Sequence, residues 1–454
     1  MKQQSERLGF DPIQKILARL AVPATVGMLV MALHSVIDTV YIARGVGTIG
    51  VAAVAISFPV QILFYALGGA LGIGGSSVIS RALGAKNLEK ANQTLGNIIS
   101  LVVVVGFSGA FFGLYYMEPM LLLFGASEII MLPAEEYLGI LLYGITFLVL
   151  GFSINNVVRA EGNSKTAMLS MIMSSLLNII LTPIFMFALQ LGMRGAAYGT
   201  VMAQGITAIY LLYYLYSGRS TLSIRVKYFY PRLQIIREML AVGASAFIRQ
   251  GSASLMLIVA NNLLILYGGE LAIAVLGIIH RIMMFTLMPI LGIVQGMMPI
   301  VGFNYGAKKL LRVKESIVLS MKISTAIALF AFLLVMTVPG LLMRVFTTDP
   351  AAIEMGKIAL RVIFTLSFTV GMQMVTAGVF QALGKAREAF LISMARQILF
   401  LIPLLLLLPL QLGLTGIWLA FPLADLLSVA LTFLLIHRHR KYFFTGSQKQ
   451  VAAK

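Results

Sequence analysis

Long apolar stretches separated by short polar connections run along this chain from residue 14 to residue 437. The stretches are rich in Leu, Ala and Met, and they lack the ~10-residue alternation of barrel strands. Each is at least as long as the ~20 residues that an α-helix needs to cross a bilayer. The pattern predicts twelve membrane-spanning helices, at residues 14–43, 51–80, 92–117, 135–158, 166–188, 196–217, 236–267, 271–304, 315–342, 355–382, 389–410 and 415–437.

Three glycine-marked turns of the first half recur in the second half. They lie at Gly84, Gly162 and Gly195, and again at Gly306, Gly384 and Gly416. The displacement is 222 residues for the first two pairs (306 minus 84, 384 minus 162) and 221 for the third (416 minus 195). We therefore expect an N-lobe at residues 1–225, a C-lobe at 226–440 and a disordered cytoplasmic tail at 441–454. Six helices per lobe place the pseudo-twofold axis along the membrane normal.

Composition supports an all-α integral membrane protein over a soluble helical one. Hydrophobic residues make up 59% of the chain, charged residues 11%, and the mean hydropathy is +0.96. A typical soluble domain has roughly 25% charged residues. The chain has no cysteine, which excludes disulfides and thiolate metal sites. We expect no removable signal peptide, because the basic N-terminal segment leads into a long helix without a small-residue cleavage site.

The net charge of +18 is a topology signal. Residues 1–19, 81–90, 159–165, 219–237, 308–322, 385–396 and 438–454 hold 27 of the 34 Lys and Arg residues. Alternate connections are nearly free of them, which follows the positive-inside rule. We expect a multi-pass protein of the plasma (cytoplasmic) membrane with both termini in the cytoplasm, and no nucleic-acid partner. Membrane lipids are expected partners.

Asp38 is the strongest candidate for a functional residue. An ionisable side chain within a membrane helix costs ~2.5–3.5 kcal/mol on insertion scales, so it needs a reason. Asp38 lies late in the first helix, one turn after His34 on the same face. The hypothesis is that Asp38 binds and releases a proton or Na⁺ during transport. The alternative is an aspartate that only fixes a neighbouring helix, and His34 likewise either relays protons or is structural.

Asp425 is a second candidate within a helix. It follows Pro422, which leaves backbone carbonyls to be satisfied by neighbours or water. We expect Asp425 to pair with Arg281 or Arg249, with a role in the substrate pathway as the alternative. Arg281 otherwise lines the cytoplasmic mouth, where it acts in gating.

Polar and soft side chains within the helices are expected to line a substrate cavity. The candidates are His34, Tyr41, Gln61, Asn155, Gln204, Gln250, Met284 and Asp425. Hydrogen bonding between helices or packing against lipid explains many such residues equally well. Pro23 is expected to kink the first helix and gate access. The sequence contains no Walker motif, metal-ligand cluster or nucleophilic triad, so we expect no enzyme and no cofactor, and an ion gradient as the energy source.

The chain resembles the multidrug and toxic compound extrusion (MATE) family, in its prokaryotic branch, over essentially its whole length. The resemblance is carried by Asp38, Gly74-Gly75-Ser76-Ser77, Arg81-Ala-Leu-Gly84, Arg159-Ala-Glu161-Gly162, Asn178…Pro183-Ile-Phe185, Gly195-Ala-Ala197-Tyr198, Arg281…Pro289-Ile-Leu-Gly292 and Phe380-Gln381-Ala-Leu-Gly384.

The resemblance implies a two-lobed V that opens alternately to each side and exchanges H⁺ or Na⁺ for organic, usually cationic amphipathic compounds. It places a cation site at Asp38, Asn178 and Thr200. Members with a two-carboxylate site carry aspartate where this chain has Thr182. A single acid compensates Na⁺ less well, so H⁺ is favoured and Na⁺ stays open. We expect a monomer.

Two other functions are weighed against drug export. A flippase or exporter of lipid-linked oligosaccharide shares the two-lobed plan, and it needs a strongly basic central cavity. A channel or non-transporting receptor is disfavoured by the duplication and by Asp38. Saturable counterflow would distinguish a carrier from a channel.

Overall fold

A computed structural model describes residues 3–440 and 442–443, and within these residues the chain forms helices and turns without a strand. A short helix, Gln3–Arg7, precedes the membrane helices. The N-lobe helices are α1 Ile13–Gly45, α2 Thr48–Gly84, α3 Leu88–Tyr115, α4 (Glu128–Tyr143 and Ile145–Ala160), α5 Ser164–Ala188 and α6 Gly192–Tyr216.

The C-lobe begins with a helical segment, Leu233–Gly306, that contains one kink. The kink lies at Gly269, whose φ of 68° and ψ of −169° are not helical. We name its two parts α7 (233–268) and α8 (270–306). The remaining helices are α9 Leu310–Thr337, α10 (Pro350–Phe364 and Val370–Leu383), α11 Ala386–Leu407 and α12 Pro409–Arg438.

The helices α1 to α12 correspond to twelve membrane spans. Within the described residues, eight helices are individually long and apolar enough to cross a membrane, and the bent pairs that form α4 and α10 raise the number to ten. The 74-residue segment is one of these ten, but it contains two spans, α7 and α8, which makes eleven. Helix α6, with 25 residues, is the twelfth. The predicted all-α, two-lobed membrane fold is confirmed.

The two lobes meet through glycines at equivalent positions. A Cβ atom at Gly84 would overlap the carbonyl group of Phe303, and a Cβ atom at Gly306 would overlap that of Arg81. Both pairs of positions are 222 residues apart (306 minus 84, 303 minus 81), so the contact follows the pseudo-twofold symmetry. Small residues permit this close approach of backbones in a membrane.

These contacts close one end of the bundle. We call it the basic end, because it holds the start of α1, the end of α12 and the turns after α2, α4, α6, α8 and α10, where Lys and Arg concentrate. Arg81 of the N-lobe also contacts Glu238 of the C-lobe (Nη1 to Oε1, 2.9 Å). The Ser77 hydroxyl donates to the Gln381 carbonyl, and the Gln381 amide donates to Ser245 (3.0 Å).

Helix α1 contacts both lobes. It packs along α5 within the N-lobe and along α8 of the C-lobe. A Cβ at Gly296 of α8 would lie 2.7 Å from the Ala21 nitrogen, and a Cβ at Gly292 would lie 3.0 Å from the Thr25 Cα. Pro23 lies between these two contact positions.

The connection between the lobes is docked on the N-lobe. The buried carboxylate of Glu161, in the turn between α4 and α5, accepts hydrogen bonds from the Ser220 hydroxyl (2.7 Å) and the Thr221 N–H (2.9 Å). Burial raises the pKa of Glu161, and these hydrogen bonds only partly offset it. Asn92 accepts a further bond from the Ser223 N–H (2.9 Å).

The prediction of a disordered tail at residues 441–454 is wrong for residues 442 and 443. Tyr442 and Phe443 are buried, at 5% and 2% exposure. The Tyr442 ring packs edge-on against Tyr305 (5.7 Å between centroids), and Phe443 packs against Phe380 (5.9 Å). Both contacts remove aromatic surface from water. Residue 441 and residues 444–454 lie outside the described part of the chain.

Replacing Gly306 with Ala should lower the free energy of unfolding by about 1–3 kcal/mol, the usual cost of overpacking a tight contact. Gly277→Ala is the matched control, because a Cβ there meets no atom within 4 Å. Both variants replace a glycine of α8 with alanine, so a lower stability of Gly306→Ala than of Gly277→Ala in thermal unfolding in detergent reports on the contact with Arg81. Equal stability of the two variants would contradict the close packing at the basic end.

Glu161 should make stability depend on pH. Because its pKa is raised in the folded protein, unfolding releases a proton wherever the unfolded glutamate is already ionised. Stability should therefore fall as pH rises from 4.5, the ordinary value, to the raised pKa, and then level off. Glu161→Gln keeps acceptors for Ser220 and Thr221 but should lose this slope in thermal unfolding. An unchanged slope in the variant would show that another group titrates.

Candidate ion-coupling site and central cavity

Asp38 lies on the inner face of α1, partly buried, beside the polar side chains of α5. Its carboxyl interacts electrostatically with His34 and lies within hydrogen-bonding reach of the Thr182 hydroxyl. The Asp38 Oδ1 and His34 Nε2 atoms are buried without a hydrogen-bond partner in the described part of the chain. A buried polar atom without a partner is costly, so this carboxyl is suited to binding a small cation.

A chain of hydrogen bonds leads from Thr182 across to α6. The Thr182 hydroxyl donates to Asn178 Oδ1 (3.1 Å), and Asn178 Nδ2 donates to Thr200 Oγ1 (2.9 Å). Thr200 in turn donates to the Ala196 carbonyl (3.1 Å). Each hydroxyl proton is therefore already used. Only lone pairs of Thr182 remain for Asp38, and a protonated carboxyl, which has one donor, complements them.

Two glycines of α6 bring this chain together. Gly195 and Gly199 are one turn apart on the face that contacts α5. A Cβ at Gly195 would lie 2.6 Å from the Phe185 carbonyl carbon, and a Cβ at Gly199 would lie 2.6 Å from Thr182 Oγ1. The close approach places Thr200 against Asn178. Helix α5 also changes to a π-helical turn, Ile184–Ala188, directly after this site, as is frequent at functional sites.

Two tyrosines complete the site, and neither was among the predicted site residues. Tyr137 of α4 is 3% exposed, interacts electrostatically with Asp38 and lies next to the Gln61 side chain. Tyr65 lies one turn after Gln61 on α2, with its ring edge-on to Phe152 (5.7 Å). The i, i+4 spacing of Gln61 and Tyr65 was the available signal, but tyrosine in an apolar helix usually indicates packing.

A central cavity lies between the lobes, next to the contacts that close the basic end. It is a partly open space lined from α2, α4, α7, α8 and α10, and its free volume of about 520 Å³ includes solvent outside the protein. Its charged lining residues are Arg159 and Arg249. The distribution of basic residues had placed Arg159 in a cytoplasmic connection, but α4 continues to Ala160 and the Arg159 side chain is only 5% exposed.

Asp425 does not pair with Arg281 or Arg249, so that prediction is wrong. Arg396 of α11 forms the ion pair instead, with its Nε 2.5 Å from Asp425 Oδ1. Counting basic residues had assigned Arg396 to a connection, whereas α11 begins at Ala386 and carries Arg396 into the helix. Arg281 is exposed on α8. Asp425 lines a second, smaller cavity within the C-lobe, together with Met283 and Phe364.

Most other predicted cavity residues lie apart from the Asp38 site. Asn155 donates to the Ala167 carbonyl and to Ser170 Oγ (both 2.8 Å), which is the interhelical alternative. Tyr41 is partly buried, edge-on to Phe187 (6.5 Å). Gln204 is partly buried on α6, and Gln250 and Met284 are exposed.

The oxygen atoms at Asp38 form the donor set that suits a coupling ion best. Among the described residues no group of three His, Cys, Asp or Glu side chains is arranged to hold a metal ion. Carboxylate, amide and hydroxyl oxygens can share a hard cation. Each of the three neutral oxygens here takes part in a hydrogen bond and keeps at least one free lone pair.

Comparison with known proteins agrees with the duplicated fold. The family model MatE matches residues 23–184 and 246–407. The two matched ranges are displaced by 223 residues (246 minus 23), close to the spacing of the repeated glycine turns.

Individual relatives match over nearly the whole chain. The multidrug export protein MepA of Staphylococcus aureus (strain MRSA252) is 26% identical over 432 residues, which cover 94% of each chain. The structure of the MATE multidrug transporter DinF-BH in complex with a ligand superimposes with a TM-score of 0.90 and 44% identity, covering 98% of this chain and 100% of that one. A crystal structure of MATE in the bent conformation gives a TM-score of 0.91 at 28% identity, covering 96% and 97%.

Proposed function

We propose a proton-coupled export cycle for this chain, which belongs to the MatE family and is a multi-pass membrane transporter of the multidrug efflux type. The proposed cycle exchanges protons from outside for amphipathic organic compounds from inside. The observation that carries it is the Asp38 carboxyl, whose Oδ1 is buried without a partner in the described part of the chain. The oligosaccharide flippase has less support, because the relatives MepA and DinF-BH are multidrug transporters.

The orientation follows from the basic residues. We place the basic end in the cytoplasm of a bacterial cell, with both termini there. The glycine contacts of Gly84 and Gly306 then close the cytoplasmic side, so this conformation faces outward. The opposite conformation must separate the same contacts.

A proton suits the site better than Na⁺. Protonation gives Asp38 one O–H donor, which can pair with the Thr182 oxygen without disturbing the bonds to Asn178 and Thr200. Na⁺ would need several of those oxygens at once, with a single carboxylate to balance its charge. The proposed cation site is therefore Asp38, Thr182, Asn178 and Thr200, with protonation at Asp38.

Helix α1 connects protonation to the lobes. Neutral Asp38 packs differently against α5 from the ionised side chain, and α1 carries that difference to its contacts with α8 on both sides of Pro23. Coupling requires that proton and substrate have different affinities for the outward and inward conformations. We propose that uptake of a proton outside releases the substrate and favours opening of the cytoplasmic end.

The substrate in this proposal is a small organic compound carried by a monomer. The related transporter DinF-BH was solved in complex with a ligand, which supports a binding site for such compounds in this fold. We keep Gln204, Gln250 and Met284 as candidate contacts for the apolar body, and Tyr41 as a candidate ring contact. The charge of the substrate is a separate question, because the central cavity holds Arg159 and Arg249.

Asp38→Asn should abolish proton-driven transport while leaving the fold intact, because asparagine keeps the size but cannot exchange a proton. The measurement is export of a fluorescent amphiphile from vesicles, with proton and Na⁺ gradients imposed separately. We expect wild type to respond to the proton gradient and Asp38→Asn to match vesicles without protein. Glu354→Gln is the control, since that carboxylate is exposed (69% of its side chain).

Full gradient-driven transport by Asp38→Asn would exclude Asp38 as the coupling residue. Transport by wild type that responds to the Na⁺ gradient alone would contradict proton coupling but leave Asp38 as the cation site.

A further inference from the structure

Two arginines line the central cavity, and neither has an acidic partner among the described residues. Arg159 is 5% exposed; its Nε and Nη1 atoms have no hydrogen-bond partner there, and its Nη2 contacts only the Met171 sulfur (3.1 Å). Arg249 lies within α7, and none of the ion pairs formed by the described residues includes it or Arg159. Both guanidinium groups therefore bring uncompensated positive charge to one cavity.

The charge of these arginines is permanent and costly. Arginine does not lose its proton in proteins. A charge held away from water without a partner costs several kcal/mol. The same chain pairs Arg396 with Asp425 where the positive charge lies against an acid. No such acid lies at Arg159 or Arg249 among the described residues. A ligand that carries a negative charge would therefore supply the missing partner.

Three neighbouring polar side chains already donate hydrogen bonds within the protein, so the arginines are the charged donors available to a ligand. Ser76 and Ser80 donate to the backbone carbonyls of Ile73 and Ser77 (2.9 and 3.2 Å). Asn156 donates to the Phe152 carbonyl (2.8 Å). Oxyanions only accept hydrogen bonds, and charge-assisted bonds from arginine are about twice as strong as neutral ones.

We propose that Arg159 and Arg249 bind the oxyanion of an amphipathic substrate, a carboxylate, sulfonate or phosphate ester. The apolar body of the substrate packs on the aliphatic part of the lining, Ile73, Leu291, Val294 and Met298. This inference rests on the proposed export function and names its substrate class: anionic or zwitterionic amphiphiles bind in preference to simple cations. The oxyanion site is distinct from Asp38, which faces α5 within the N-lobe.

A matched pair of dyes tests this site. Rhodamine 6G is an ethyl ester, and rhodamine 19 is the same dye with a free carboxylate. Fluorescence polarisation of each dye with purified full-length protein in uncharged detergent gives the two affinities. We expect the acid to bind about tenfold more tightly than the ester, a difference of about 1.4 kcal/mol.

Four variants test whether the arginines cause this preference. Arg159→Gln and Arg249→Gln should each remove most of the preference for the acid while the ester binds as well as before or better. Arg344→Gln, at an exposed arginine outside the cavity lining, should leave both affinities unchanged. Arg249→Lys keeps the charge and should retain part of the preference, which preserves the test if a glutamine variant does not fold.

Several results would overturn the proposal. Equal binding of acid and ester by wild type would do so, as would variants that weaken both dyes equally. Inorganic phosphate distinguishes the source of the oxyanion: we expect it to displace the acid only weakly, and displacement as strong as that by the acid itself would show a site for free inorganic anions. Proton-driven export of the ester reports on Asp38 independently, so failure of one proposal leaves the other measurable.

Discussion

The packing of α1 against both lobes is the constraint on which this structure depends. Ala21 and Thr25 fit against Gly296 and Gly292 of α8, so α1 cannot move relative to the N-lobe without disturbing the C-lobe. The same helix carries Asp38 next to the hydrogen-bonded side chains of α5. A change of one charge within the N-lobe can therefore bias the contact between lobes without a long pathway of intermediates.

Some ionisable side chains within the helices form ion pairs, and others do not. Asp425 and Arg396 neutralise each other within the C-lobe, where the pair links α12 to α11. Among the described residues, Arg159 and Arg249 form no ion pair with an acid, and Asp38 forms no ion pair with an arginine. Because unpaired charge is expensive in a membrane, these positions are where a proton and a substrate are expected to supply the missing partner. The two sites are separate, which allows each ligand to favour a different conformation.

The fold could be predicted from the sequence to a large extent, because helix length, basic connections and repeated glycines are properties of single segments. The resemblance implied a cation site at Asp38, Asn178 and Thr200, and the structure places the Asp38 carboxyl within hydrogen-bonding reach of Thr182, which bonds to Asn178. Pairing between distant helices did not follow. Arg159 was placed in a connection because the predicted helix ended at residue 158. Arg396 lay inside the predicted helix 389–410, but nothing in the sequence linked it to Asp425 on another helix. Tyr137 was missed because its electrostatic interaction with Asp38 depends on where the folded bundle places α4 relative to α1.

The central claim is that the charge of Asp38 decides which end of the bundle is closed. The chain has no cysteine, so spin labels can be placed at Glu89→Cys and Leu311→Cys, equivalent exposed positions on the two lobes at the basic end (311 minus 89 is 222). Double electron–electron resonance should show a longer distance in acidic than in alkaline buffer for the wild-type background, and the long distance at both pH values for Asp38→Asn. The same pH-dependent change in Asp38→Asn as in wild type would contradict the account.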